Sequence, residues 1–331
     1  MRIFVYECVC AGGLGPDIPS SLLREGHAML AAIVADLQGI PGVTVVTLID
    51  QNLSYEIGDE CRRATYPDPD FEDLDFEEFA AECDGTLVIA PEFNGLLLNR
   101  SRAAVGVGGR LLSCEPNAIQ LTADKLALAE FWRLRQVPHP WTDAFNHADL
   151  SAMDPPFVLK PRHGAGSQAI YLIHDAKGAA EIAAADTEAL PEGDFIVQRH
   201  VLGHAASVTL LIGKTQRVAL MPARQHLSND GRFRYLGGSL PLPEALAQRA
   251  AKLALHAVKG IKGLCGFVGV DLVLGDDGTD YAIEINPRLT TSYLGLRQLC
   301  EQNLAELMLR IVVGERIEMP TWKKSEVHFR A

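Results

Sequence analysis

Residues 266–288, GFVGVDLVLGDDGTDYAIEINPR, constrain the fold more than any other stretch of this 331-residue chain. Asp277-Gly278 stands between two alternating apolar runs, the pattern of a β-hairpin with a tight turn. A two-residue turn centred there sets Asp271 directly opposite Glu284, and the strand period puts Asn286 on the same face. The opposite face carries Val268, Val270, Leu272, Leu274, Tyr281, Ile283 and Ile285, a core face. Like charges facing each other across two strands repel, and a cation between them removes the conflict. Hard oxygen donors of this kind suit Mg²⁺, with Mn²⁺ as a substitute, and Mg²⁺ ordinarily also takes phosphate oxygens. Arg288 follows the strand end, within reach of the same phosphates. The plain alternative is a polar hairpin face turned to solvent. Asn286-Pro287-Arg288 straight after the second carboxylate argues against it.

Two lysines extend this constellation. Lys160 ends the apolar stretch Phe157-Val158-Leu159, where a lone charge is costly unless it meets an anion. The loop that follows contains Gly164, Ala165, Gly166 and Ser167, and its backbone N–H groups can approach a phosphate without side-chain obstruction. Lys125 lies four residues after Leu121 and three before Leu128, on the apolar face of a helix read over 122–136. A lysine snorkelling from that face is the bland reading. Gln198, Arg199, His200 and Val201 form an extended stretch whose backbone can pair with an adenine edge. His163 and His200 read as structural.

Several classes are excluded. With 30 basic and 42 acidic residues the formal charge is −12, which disfavours nucleic acid as the main partner. Nine carboxylates and no basic residue fall between Asp68 and Asp84, read as a solvated loop and helix face with Phe71, Leu74, Phe76 and Phe79 as packing residues. Seven scattered cysteines fit a reduced, cytoplasmic setting, and no apolar run has the length of a membrane span. Gly213-Lys214-Thr215 resembles the end of a P-loop, but Val208 stands where its first glycine is required. Gly106-Val107-Gly108 and Gly13-Leu14-Gly15 lack the third glycine of a dinucleotide fingerprint, with Leu111 and Ile18 in its place.

The N-terminal part alternates strand and helix: strand 2–6, a glycine turn, helix 20–37, strand 43–49, a helix near 75–83 and strand 86–90. That rhythm predicts a small parallel α/β domain over 1–115. Beyond it come a strand at 157–160, a helix near 175–185, strands at 195–202, 206–212 and 216–221, a helix at 243–262, the hairpin, and a C-terminal helix near 295–313.

Taken in order, a Thr-x-Asp-Lys helix, a strand ending in Lys-Pro, a small glycine loop, a Gln-x-x-Val stretch and Asp…Glu-x-Asn-Pro-Arg resemble the ATP-grasp superfamily over about residues 118–312. The resemblance implies α/β and α+β architecture: the N-terminal domain, then two ATP-grasp subdomains over 116–197 and 198–331. It implies Lys125 and Lys160 on the ATP phosphates, Gly164, Ala165, Gly166 and Ser167 as a phosphate lid, and a hinge of Gln198, Arg199 and Val201 on adenine. Asp271, Glu284 and Asn286 would hold Mg²⁺, and Arg288 and Lys160 would be catalytic. Ala205 departs from the acidic residue that many members place on the ribose, and Arg199 replaces a frequent glutamate.

Tyr6-Glu7 with its glycine turn, Pro91-Glu92, Ala206-Ser207-Val208, Tyr235 to Ser239 and Asn286 to Tyr293 are similar to the tyramine–glutamate ligase group, which serves biosynthesis of methanofuran-type one-carbon carriers. That resemblance implies small-molecule carboxylate and amine substrates, with a homodimer compatible with it. Candidate substrate residues are Glu7, Gly12, Gly13, Glu92, Arg224, Gln225, Tyr235, Thr290, Thr291 and Tyr293. Glu7 or Glu92 would anchor an ammonium. Another amino-acid or peptide ligase, and a nucleotide-binding protein without turnover, are the competing readings.

Overall fold

The computed structural model describes residues 1–15, 18–64, 69–146, 155–164, 169–183 and 194–330. The lid residues Ala165, Gly166 and Ser167 lie outside them. The N-terminal part runs β1 (Arg2–Glu7), α1 (Ser20–Gln38), β2 (Thr44–Asp50), β3 (Glu60–Ala64), α2 (Pro69–Glu82), β4 (Gly85–Ile89) and α3 (Leu96–Gly106). Its four strands are parallel, in the order β3-β2-β1-β4. Side-chain alternation along β1 divides two cores. Ile3 and Val5 pack with Met29, Leu30 and Ile33 of α1, whereas Phe4 and Tyr6 pack with Phe76, Phe79 and Leu97 from α2 and α3.

The strand β3 was not foreseen, because ECRRA carries no apolar alternation. It is an edge strand, where charge is tolerated and blunts further pairing. Its Arg62 answers the acidic run: Nη1 donates to Asp75 at 3.0 Å and to Glu78 at 2.9 Å, with the guanidinium 4.2 Å above the Phe79 ring. Phe76 and Phe79 are buried, but Leu74 is 62% exposed and is not a packing residue.

The helix expected over 122–136 is two helices, α4 (Pro116–Ala123) and α5 (Lys125–Leu134). Asp124 has extended backbone and caps α5, its carboxylate accepting from the N–H groups of Leu126 and Ala127. Lys125 therefore opens a helix instead of lying on the middle of one.

A second, antiparallel sheet has the order β5-β8-β6-β7, from β5 (Thr142–Ala144), β6 (Phe157–Pro161), β7 (Tyr171–Ile173) and β8 (Phe195–Arg199), with α6 (Ala176–Ala183) between β7 and β8. Phe145, Phe157, Leu159, Ile173, Phe195 and Val197 form its small core.

The third sheet contains β9 (His204–Ile212), β10 (Arg217–Ala219), β11 (Ala223–Leu227), β12 (Tyr235–Leu240), β13 (Gly266–Leu274), β14 (Asp280–Asn286) and β15 (Val327–Phe329). Its order is β14-β13-β9-β11-β12-β15, with β10 also pairing β9. The helix α7 (Glu244–Ala257) covers one face, packing Ala250, Leu253 and Ala254 with Val208, Leu210, Val268 and Val270. The expected C-terminal helix is two, α8 (Ser292–Leu299) and α9 (Leu304–Val312), with Asn303 capping the second. Both join the α1 core, so the first sheet and the third share one apolar interior. Among the described residues no helix is long and apolar enough to cross a membrane. None of the seven cysteines is joined in a disulfide.

Candidate functional site

The hairpin pairs Asp271 with Glu284 as expected, but by a different route. Gly275 donates to the Thr279 carbonyl at 2.9 Å, so the loop holds three residues, and Gly278 takes the left-handed conformation (φ 85°) that an L side chain rarely adopts. Leu272 consequently faces Ala282, and a bulge between Leu272 and Asp271 restores the Asp271–Glu284 pairing. The core face changes with it. Ala282 is fully buried, Tyr281 is half-buried, and Ile283 lines a cavity instead of the core.

Asp271 is held from three strands. Gln225 Nε2 on β11 donates to its Oδ1 at 3.0 Å, Asn286 Nδ2 on β14 donates to its Oδ2 at 3.2 Å, and Ser207 on β9 is both its cross-strand neighbour and a hydrogen-bond partner. Burial, and then the Glu284 charge, push the Asp271 carboxyl up to about 7. Burial alone would raise Glu284 too, but Lys125 and Lys160 outweigh it and hold Glu284 below its ordinary value. Lys125 Nζ lies 3.7 Å from Glu284 Oε2 and donates to the Gly164 carbonyl at 2.7 Å. Lys160, on β6, is 5% exposed, and burial brings its ammonium down to about 8.

Arg288 makes a bidentate pair with Glu92 at the C-terminal end of the first sheet, Nε to Oε1 at 2.9 Å and Nη2 to Oε2 at 3.0 Å. Burial works against the Arg288 charge, yet Glu92, Glu284 and Asp271 together keep it above the usual arginine value.

These groups stand around a cavity of about 500 Å³ between the second and third sheets. Twelve of the expected site residues line it: Lys160, Gln198, Arg199 and Val201 on the second-sheet side, then Gln225, Tyr235, Asp271, Glu284, Asn286, Arg288, Thr290 and Thr291. Gln198 is already tied to Thr142 Oγ1 at 2.9 Å. Lys125 and Glu92 stand directly behind the wall, through Glu284 and Arg288.

Five other expected substrate positions do different work. Glu7 is buried, with its Oε2 accepting from the Cys10 N–H at 2.8 Å, and burial pushes its carboxyl up. Gly12 and Gly13 close the turn after β1, where Gly13 donates to the Cys8 carbonyl at 2.8 Å. Arg224 Nη1 meets His204 Nδ1 at 3.2 Å. Tyr293 is 1% exposed and donates to Asp36 of α1, which Arg297 also engages. None of these side chains is among those lining the cavity.

The cavity also has walls that the sequence reading missed: Ser207, Glu25 and Met29 of α1, and Val158, Ile170, Phe233 and Ile283. Ser207 was within reach of the strand-period argument, since it is the next partner of Asp271 across β13. Glu25 carries no local mark, because only the tertiary fold brings α1 to this wall.

The oxygen donors of Asp271, Glu284 and Asn286 on one hairpin face fit a hard divalent cation. Burial first, and the facing Glu284 charge second, disfavour the ionised form of Asp271, and a cation at this position would offset both.

A family profile described as "ATP-grasp domain" matches residues 122–292, and one described as "pre ATP-grasp 3 domain" matches residues 43–119. The chain is 26% identical over 321 residues to tyramine–L-glutamate ligase of Methanocaldococcus fervens, covering 95% of each chain. It is 30% identical over 187 residues to D-alanine–D-alanine ligase of an Anaeromyxobacter species, covering 52% of this chain and 59% of that protein. In fold it is similar to a putative ATP-grasp superfamily protein from Archaeoglobus fulgidus, with a TM-score of 0.72 and 24% identity over 97% of this chain and 90% of that one.

Proposed function

The chain belongs to the ATP-grasp family and is an ATP-dependent carboxylate–amine ligase, and we propose that its carboxylate substrate is glutamate and its amine tyramine or a close aromatic relative. Synthesis of a methanofuran-type one-carbon carrier is the role this reading assigns. The observation that carries it is the meeting of Lys125, Lys160 and Arg288 with Asp271, Glu284 and Asn286 around one cavity. The similarity to a tyramine–L-glutamate ligase along 95% of the chain supports the substrate pair.

In this reading ATP lies between the second and third sheets. Adenine meets the backbone of Gln198 to Val201, against Val158, Ile170 and Ile283, and the phosphates point toward Lys160. The side-chain carboxylate of glutamate attacks the γ-phosphorus, the bond to the β,γ-bridging oxygen breaks, and an acyl phosphate and ADP result. The amine then attacks the acyl carbon, and phosphate leaves with the carbon–oxygen bonding pair. Lys125 and Lys160 neutralise charge spread over the phosphoryl oxygens. Arg288, preset by Glu92, faces the oxyanion that develops at the acyl carbon. A divalent metal held by Asp271, Glu284 and Asn286 would supply further charge neutralisation at the phosphates when bound. No side-chain nucleophile is needed, so placement and electrostatics supply the rate.

A substrate matrix tests this. ATP, Mg²⁺ and glutamate are offered with tyramine, tyrosine and a panel of aliphatic amines and amino acids, and ADP and amide product are measured. Glutamate with tyramine or tyrosine should release ADP and amide in equal amounts. Turnover only with a pair of amino acids would replace this reading with the amino-acid ligase one, which the similarity to D-alanine–D-alanine ligase favours.

A further inference from the structure

Glu25 lies on α1, part of the parallel domain, yet it lines the cavity beside Met29, Tyr235, Arg288 and Thr291. Its position is fixed from behind. A Cβ on the next residue, Gly26, would lie 2.5 Å from Glu7 Oε2, so α1 packs directly on the buried Glu7 with no space to shift. Among the described residues the Glu25 carboxylate makes no hydrogen bond or ion pair. Burial pushes it up, and Arg288 is the foremost positive charge acting on it. Arg288 is already engaged by Glu92 in both directions of its fork. A half-buried carboxylate on a cavity wall without its own cation is complementary to a cationic group on the ligand.

We propose that Glu25 binds the α-ammonium of the amino acid whose side-chain carboxylate is activated. This rests on the reading above, in which that amino acid is glutamate. The neighbouring wall supplies the opposite charge preference. Thr291 begins α8 without a side-chain cap, and Thr290 Oγ1 is buried with no partner among the described residues. Thr290, Thr291 and Ser292 all line the cavity; the N–H groups of Tyr293 and Leu294 already donate to the Thr290 and Thr291 carbonyls, which leaves the Ser292 N–H of the first turn for a carboxylate. An acidic side chain on one side, and the Thr290 hydroxyl with the Ser292 N–H on the other, match the two ends of a zwitterion. The acceptor amine fits Glu25 less well. It must shed its proton to attack, and a carboxylate beside it would stabilise the protonated form.

The test compares glutamate with glutarate, which lacks only the α-amino group, in the wild type and in Glu25→Gln, at saturating Mg-ATP and tyramine. Glu25→Gln should raise the KM for glutamate about 10- to 100-fold, the range of one charge-assisted hydrogen bond, with kcat changed by less than about threefold. Glutarate, followed as substrate or as competitive inhibitor, should show the same weak binding to both proteins. An unchanged glutamate KM in an active variant overturns the inference alone. Equal losses for glutamate and glutarate, or a rise confined to the tyramine KM, overturn it as well. A wild type that forms no amide from glutamate with any amine removes the parent reading, and this inference with it.

Discussion

Lys160 concentrates the conflict between stability and function in this site. It is nearly inaccessible, and burial and the nearby Lys125 both oppose its charge, while Glu284 and Asp271 favour it. The folded-state value of about 8 lies below the ordinary 10.5, so between those two values the unfolded chain binds more protons than the folded one. Folding stability contributed by this group therefore rises with pH through that window. Lys160→Met removes the buried charge at similar volume. The variant should melt at or above the wild-type temperature at pH 7.5 and lose the rise in stability above pH 8, while turnover falls by about 100-fold or more. Urea unfolding at several pH values and ADP release at saturating ATP measure the two halves, and a variant that keeps wild-type turnover would remove Lys160 from the chemistry. Glu284→Ala makes the complementary case. It leaves the fold, since Glu284 faces the cavity and not the core, and abolishes ADP release. Near-normal rates would count against the divalent-cation site.

Among the elements, the break between α4 and α5 has the most consequence for the site. Asp124 ends one helix, caps the next, and receives both Nε and Nη2 of Arg162, at 2.8 Å and 2.6 Å, from the segment after β6. This clamp sets Lys125 and Lys160 side by side. Burial alone would raise the Asp124 carboxyl, but Arg162 and the helix N–H groups outweigh it and hold it below 3.8. The stabilisation is thus complete above the unfolded value and is lost as pH falls through the folded one, in the acid range below 3.8. Asp124→Ala should cost about 1–3 kcal/mol in urea unfolding at neutral pH, from a lost cap and a charge-assisted pair, and should slow turnover by misplacing Lys125. The local helix pattern over 122–136 could not reveal this break, because Arg162 is 38 positions away. Elements whose partners are local were legible: β1, α1, β2, β4 and the β13–β14 hairpin follow from apolar alternation and turn residues. The strands β11 and β12 were not, since ARQHL and YLGGSL turn Gln225 and Tyr235 into the cavity and so break the alternation that marks a strand. Even the Asp271–Glu284 register was reached from a two-residue turn, where a three-residue turn and a bulge produce the same pairing. The hairpin carboxylates were legible because both lie on one local unit, whereas Glu25 was not because its neighbours come from another domain.

Across the whole molecule, the parallel N-terminal domain does more than flank the second and third sheets. It sends Glu25 to the cavity wall, locks α1 to α8 through Asp36, Tyr293 and Arg297, and places Glu92 against Arg288. The last contact couples domain docking to the site most directly. The Glu92 side chain is 4% exposed and that of Arg288 15%, so the pair is largely withdrawn from bulk solvent. Removing Glu92 leaves a largely buried guanidinium facing Glu284, Asp271 and Glu25, free to swing toward them from its present position. Glu92→Ala should therefore destabilise the protein by about 3 kcal/mol or more in urea unfolding and lower kcat, although Glu92 is not on the cavity wall. Arg288→Met separates the two effects. With the cation gone, adding Glu92→Ala to Arg288→Met should cost much less stability than Glu92→Ala does in the wild type. A double-mutant cycle built from these variants reads the coupling, and additive stability losses would show that the first domain docks independently of Arg288.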